Sequence, residues 1–292
     1  MKRFIYKSVV FLLIPSIYFV IIGSINRYIG KDQKVDLQGA STLIAGDSHP
    51  MSSLNPDLLY NTKSVCQSAE PYIISYWKVK EILESNPVDT LILGFAPHNI
   101  SAFNDFKFSD RQWSSQMFHR SYYLNDYKNI SEVVDVDLYE YYKILMRHTC
   151  LYPKMNHINY VGKFSSLRIS DVESYESAIK RHYYYRSERL GVSEVAISYL
   201  DSIIDYCQRN QTEIILTSNP VHHSYYENIP PAILSRYNQL SEKYSNDGLF
   251  VFNLTSSSYP DSLFTNVDHL NFFGATRFSK EFRQAKANRA SE

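Results

Sequence analysis

A chain of 292 residues, 44% of them hydrophobic, can bury a sizeable core as one large domain or two small ones, and its composition is that of an ordinary folded protein. Lys and Arg balance Asp and Glu at 30 each, which excludes the strongly basic chain that holds nucleic acid by its overall charge. The 25 tyrosines would suit carbohydrate-stacking surfaces, but a compositional habit of the organism is the simpler cause.

The first element is apolar. Lys2, Arg3 and Lys7 precede a charge-free run from Ser8 to Asn26, which Arg27 and Lys31 close. At about 1.5 Å per residue this run spans roughly 28 Å, close to a hydrocarbon core of about 30 Å. Pro15 would kink such a helix without excluding it. A cleaved signal peptide is the competing reading, but no A-x-A-like site follows the run. The expectation is an uncleaved signal anchor over residues 1–31. The leading positive cluster places the N-terminus in the cytoplasm and exports residues 32–292, which in a bacterium means a single pass through the inner or plasma membrane and a periplasmic or otherwise extracytoplasmic domain.

From residue 41 short apolar runs alternate with amphipathic stretches. "TLIAG" from Thr42 reads as a buried strand, "SVCQ" at Ser64 to Gln67 as a short second strand, and "AEPYIISYWKVKEILESN" as a helix stopped by Asn86-Pro87. "DTLILGF" at Asp89 to Phe95 is a third strand. A long interval follows, then the helix "VSEVAISYLDSIIDYCQRN", the strand "TEIILTS", the helix "PPAILSRYNQLSEKYSND", the strand "LFVFN" and the helix "NFFGATRFSKEFRQAKA". This alternation implies an α/β fold, flavodoxin-like, a three-layer sandwich of about five parallel strands covered on both faces. In such sheets reactive groups collect at the C-terminal strand ends. Residues 100–190 break the rhythm. With helices near Val136 to Arg147 and Val172 to Arg186 and no clear buried strand, they are expected to form a cap or insertion.

Three stretches at strand ends carry candidate chemistry. "TLIAGDSHP" leaves the first strand through a glycine and sets Asp47, Ser48 and His49 in a row, so the Ser48 hydroxyl can sit at a helix start where backbone N–H groups stabilise an oxyanion. "FTNVDHLNFFGA", Phe264 to Ala275, puts His269 in a polar loop before the last helix, with Asn271 and Gly274 helping the turn. A hydroxyl nucleophile needs a base with a pKa near working pH, and histidine suits that role. "GFAPHN" after the third strand offers Gly94 and Asn99 for an oxyanion pocket, or is an ordinary turn.

Together the three blocks resemble the SGNH (GDSL-like) hydrolase superfamily, whose members carry Ser in an early G-D-S block, an oxyanion Gly and Asn, and a C-terminal D-x-x-H block. The resemblance covers Thr42 to Gly94 and Glu213 to Phe282. One anchor helix before an exported domain is similar to the membrane-tethered branch acting on cell-envelope polymers, such as the alginate-acetylation and D-alanyl-teichoic-acid proteins. The resemblance implies Ser48 as nucleophile and His269 as general base, with Asp47 bracing the turn. It also implies an oxyanion hole from the Ser48 N–H, a backbone N–H near Cys66 or Gln67, and the Asn99 side chain. Two departures bear on this. The family acid sits three residues before the histidine, where this chain has Asn266; Asp268 is adjacent to His269 and is not expected to reach its Nδ1. The machinery is then a Ser-His dyad, a Ser-His-Asn triad or a degraded site. Block two, "VCQSAEP", offers no glycine.

His49, His222 and His223 are candidates for lining a substrate site; adjacent histidines rarely share one ion, and no metal or cofactor is expected. "RHYYYRSER", Arg181 to Arg189, reads as a solvated helix surface or a polyanion-binding face. Cys66, Cys150 and Cys207 show no zinc-ligand spacing, and no disulfide is assigned. The expected function is serine-dependent esterase or O-acyltransferase chemistry on an envelope polysaccharide or other acyl-acceptor glycan. The expected partners are that glycan, the membrane through the N-terminal helix, and a multispanning acyltransferase membrane protein; nucleic acid is not one. The rival is a catalytically degraded SGNH-like scaffold that binds glycan or organises an envelope complex.

Overall fold

Five short strands, the central ones runs of β-branched and aliphatic residues, form one parallel sheet in the computed structural model of the chain, which describes residues 1–125, 127–169, 174–289 and 291. The strands are β1 (Thr42–Ala45), β2 (Thr62–Ser64), β3 (Thr90–Gly94), β4 (Glu213–Ser218) and β5 (Phe250–Asn253), in the order β2-β1-β3-β4-β5. This is the flavodoxin-like order, and its switch point lies between β1 and β3. Ile44, Ile92 and Ile215 stand in register on one face. There they join Phe278 and Phe282 of the Phe272–Arg289 helix in one buried core. Leu43, Leu91 and Ile214, also in register, point to the other face, as the period of a strand requires, and are buried too. Near-continuous apolar strands are what a sheet covered on both sides needs.

β2 ends at Ser64, earlier than the sequence suggests. Its bonding to β1 nevertheless runs on, because the Val65 and Gln67 N–H groups donate to the Ile44 and Gly46 carbonyls at 2.9 and 3.0 Å. The helices expected after β2, before β4, before β5 and at the C-terminus occupy Tyr72–Ser85, Glu194–Arg209, Pro231–Asn246 and Phe272–Arg289. The helix expected from Val172 occupies Tyr175–Tyr183, and its expected start at Val172 and Glu173 lies outside the described residues. It stops before a two-residue hairpin, Tyr184–Tyr185 on Glu188–Arg189, whose turn holds Arg186 and Ser187 at positive φ.

The chain divides into two compact units. One comprises 36–107 and 160–292 and contains the sheet; the other comprises 1–35 and 108–159. The stretch 100–190, expected as one insertion, is thus shared between them. In the second unit the Lys2–Lys31 helix includes Pro15 and is long and apolar enough to cross a membrane. It is bonded to residues 149–152 through Tyr18 and Asn26, and Gln33, just past its end, bonds Met155 and His157. Gly30 lets the Tyr123 ring approach, since a Cβ there would lie 2.6 Å from the ring hydroxyl. Cys66, Cys150 and Cys207 are free thiols.

Candidate active site

The nucleophile turn follows from three small features after β1. Gly46, at φ +128, takes a conformation that side-chain-bearing residues rarely adopt. Asp47 then caps the short Ser48–Ser53 helix by accepting the His49 N–H at 2.9 Å. Pro50 falls in the first turn, where its missing N–H costs nothing. A Cβ on Gly94, at the end of β3, would lie 2.7 Å from the Pro50 ring, so glycine there lets the Ser48 helix settle onto the sheet edge.

His269 arrives on a hairpin of β6 (Phe264–Asn266) and β7 (His269–Leu270). Phe264 and Leu270 are fully buried in the same core as Ile44, so the imidazole is held between two apolar anchors. Asn266 Oδ1 accepts the Asp268 N–H at 3.2 Å and the His269 N–H at 2.9 Å, curling the turn back on itself. Asn271 caps the last helix by accepting the Phe273 and Gly274 N–H groups, both at 3.0 Å.

These turns bring Ser48 Oγ and His269 Nε2 to 2.8 Å. Across the ring, Nδ1 lies 3.0 Å from Asn266 Oδ1 and 3.2 Å from Asp268 Oδ1. The expectation that Asp268 cannot reach its neighbour's Nδ1 is corrected in distance: Asp268 Oδ1 stands within ion-pair range, while the hydrogen bond of Nδ1 goes to Asn266 Oδ1. Asp268 is fully buried, and its other oxygen takes the Arg181 guanidinium at 2.9 Å, with His182 Nε2 at 3.6 Å. Burial alone would raise the Asp268 carboxyl, but His269 beside it, with His49 and His182, holds it well below the carboxylate range. Burial would likewise lower His269, and the Asp268 carboxylate more than offsets that, leaving its pKa above 6.5.

A second acid–histidine pair lies behind the first. Asp47 Oδ2 meets His98 Nε2 at 2.5 Å and accepts from Asn99 Nδ2 at 2.8 Å; burial opposes this charge, and His98 and His49 keep the carboxyl ionised. His49 packs between the pairs, its ring 4.0 Å from His98 and 5.0 Å from His269. It is 2% exposed, and its nearest carboxylate contact, 3.7 Å to Asp268, exceeds hydrogen-bond range. Burial, then His98, push its pKa down to about 4, so it is neutral at pH 7. His182 stacks on His98 at 4.7 Å and bonds the Tyr225 hydroxyl at 2.6 Å; burial and then His98 lower it well below 6.5.

Other expected positions are placed differently. The Gln67 N–H is spent on the Gly46 carbonyl, because the β1–β2 ladder extends that far, so it is no oxyanion donor; Ser68 is the residue of this loop that lines the groove at Ser48. The Asn99 amide bonds Asp47 rather than facing Ser48. His49 is buried beneath the groove. His222 caps a short helix, bonding the Ser224 hydroxyl at 2.7 Å with Asp261 at 3.2 Å, and its ring packs against Phe264; exposed His223 sits beside it, and neither lines the groove. The groove itself, about 310 Å³, is bordered by Ser48, Met51, Ser165, Leu167, Thr265 and His269 among the described residues. His98, Arg181 and His182 escaped the sequence reading. Arg181 and His182 sit in "RHYYYRSER", which turns its first two residues onto Asp268 instead of outward.

The Ser48 amide, first in its helix, has no partner within the helix, which is the placement an oxyanion donor needs. Ligand atoms of His49, Asp268 and His269 lie within 4.8 Å of one another, close enough to share a metal ion, but the Arg181 guanidinium on the same carboxylate opposes a cation there.

No protein-family model and no curated protein matches the sequence. Among solved structures the chain is similar to a Bacteroides fragilis protein provisionally classed as an acylhydrolase (TM-score 0.42, 10% identity, covering 90% of this chain and 94% of that one). It is similar to a GDSL-like lipase of Bacteroides thetaiotaomicron (0.41, 8%, covering 92% and 99%) and to a Streptococcus pneumonia protein provisionally classed as a platelet activating factor (0.42, 12%, covering 98% and 99%).

Proposed function

We propose that the chain is a membrane-anchored, extracytoplasmic serine esterase or O-acyltransferase of the SGNH type, acting on acyl groups of a cell-envelope polysaccharide. The reading rests on one observation, the 2.8 Å contact between Ser48 Oγ and His269 Nε2, in a ring whose far nitrogen faces Asn266 and a buried carboxylate. His269 Nε2 takes the hydroxyl proton as Ser48 Oγ attacks an ester carbonyl. The Ser48 N–H stabilises the oxyanion. His269 returns the proton to the leaving alcohol, giving an acyl-Ser48. Water or a sugar hydroxyl, deprotonated by His269, then takes the acyl group. The anchor helix and the groove beside Ser48 favour a polymer acceptor at the membrane surface, supplied by a multispanning acyl-transporting partner. The scaffold reading draws on the Gln67 and Asn99 donors, both of which are engaged elsewhere.

The test is labelling of the full-length chain in detergent by a fluorophosphonate, with release of nitrophenol from 4-nitrophenyl acetate, beside Ser48→Ala. We expect both signals to vanish in Ser48→Ala. Equal signals from the two folded proteins would favour the scaffold.

A further inference from the structure

The second unit carries a surface that the chemistry at Ser48 does not use. Outside the N-terminal helix, twelve large apolar side chains stand exposed among the described residues, and eight of them fall within 133–155. Tyr139, Tyr142 and Met146 line one side of the Leu138–Thr149 helix at helical spacing, with Lys143 and Arg147 beside them, and Leu151, Tyr152 and Met155 continue the face. Tyrosine with flanking Lys and Arg is the composition of an element lying at a membrane–water boundary.

The bonding to the N-terminal helix fixes the depth of this face. Tyr18 donates its hydroxyl to the Leu151 carbonyl at 2.7 Å, Gly23 abuts the Cys150 sulfur, and the Asn26 amide donates to the Thr149 and Tyr152 carbonyls at 2.8 and 2.9 Å. If the span starts at Ser8, Tyr18 lies about 15 Å and Asn26 about 27 Å into a core of about 30 Å. If it starts at Phe4 with Lys7 snorkelling, Tyr18 lies about 21 Å in, still inside. Either way residues 149–152 run beside the half of the span remote from the basic N-terminus.

Irregular backbone at that depth must have its polar groups taken by protein. Much of that requirement is supplied by residues 1–35. Anchor side chains accept or donate for Thr149, Leu151, Tyr152 and Lys154, and Gln33 serves Met155 and His157. Asn26, in the apolar run, is itself only 2% exposed.

We propose that the Leu138–Thr149 helix and the turn through Met155 form a seat embedded in the leaflet remote from the N-terminus, reaching from its headgroup–acyl boundary into its hydrocarbon, with lipid as the occupant of the exposed face. The inference rests on the membrane-anchor reading, and the test separates the two. Full-length protein carrying Cys150→Ser is reconstituted in phosphatidylcholine–phosphatidylglycerol vesicles; the remaining Cys66 and Cys207 are fully buried. Nitroxide labels are placed singly through Leu13→Cys, Tyr142→Cys, Tyr152→Cys and Tyr60→Cys, and collision with oxygen is compared with collision with a water-soluble nickel chelate.

We expect label 13 to lie deep, label 60 to behave as in water, and labels 142 and 152 to show an oxygen-to-nickel ratio several-fold above that of label 60. A deep label 13 with water-like labels at 142 and 152 overturns the seat and leaves the anchor standing. A deep label 13 with 142 and 152 shielded from both reagents overturns it in favour of a protein partner on this face. A water-like label 13 overturns both.

Discussion

Asp268 and Asn266 share the Nδ1 edge of His269, and their contributions separate by charge. His269 must be neutral to take the Ser48 proton, and burial followed by the stronger pull of Asp268 leaves its pKa above 6.5. Hydrolysis by wild type should therefore rise with pH through a midpoint above 6.5. Asp268→Asn removes the carboxylate and leaves burial and Arg181 opposed only by the weaker pull of Asp47, so the midpoint should fall and kcat should drop by roughly 10²-fold or more; a pH–rate profile on the two proteins checks both. Asn266→Ala keeps the charge, so its midpoint should stay near that of wild type while kcat falls, because the clamp that orients the ring is lost. Ser48 and His269 were legible in the sequence because each sits in a short local block at a strand end. Asp268 was misread, because chain adjacency hides what a side-chain-clamped turn does to two neighbours. His98, Arg181 and His182 were not legible at all: they reach Asp47 and Asp268 across 51 to 87 positions of chain, and no local pattern marks such an approach.

The elements were read more readily than their contacts. Continuous apolar runs announce buried parallel strands, and Pro, Asn and Gly mark where the covering helices stop, so four of the five strands and the four long helices of the sheet unit were foreseeable; β2, Thr-Lys-Ser, has no apolar run and shares only Ser64 with the expected stretch. Glycine roles were not. Gly94 was read as shaping either an oxyanion pocket or an ordinary turn, and neither reading foresaw that it makes room for Pro50 of the Ser48 helix. Gly94→Ala should press that helix off β3, lowering stability by about 1–3 kcal/mol and activity by more than the unfolded fraction explains; thermal melts beside turnover assays would show the difference. The loop from β2 to the next helix has its own internal brace. Lys78 Nζ, fully buried, bonds Glu70 at 2.6 Å and the Val65 carbonyl at 2.7 Å. Lys78→Met would remove the buried cation that faces Glu70 and should cost about 3–5 kcal/mol, measurable as a lowered denaturation midpoint.

At the scale of the molecule the buried histidines make stability depend on pH. His49 titrates at about 4 when folded and near 6.5 when unfolded, so between those values the unfolded chain holds more protons. Stability should fall as pH drops from 6.5 to 4, with this residue alone contributing on the order of 3 kcal/mol. His182 acts in the same direction. The depressed Asp47 and Asp268 extend the loss below about pH 4. His269, raised when folded, works the other way, its contribution being full below 6.5 and lost as pH climbs through its folded pKa. Melting temperatures from pH 7 to 4 should decline, and His49→Asn should flatten the decline. The spacing of the two reacting groups has a consequence in time as well. His269 follows Ser48 by 221 positions and is held in place by the core that the last helix completes. At about 5–20 residues per second of synthesis, the base is made roughly 10–45 s after the nucleophile. On the proposed chemistry, a chain still emerging thus carries Ser48 without its base, and the pair forms only once the last helix has been delivered.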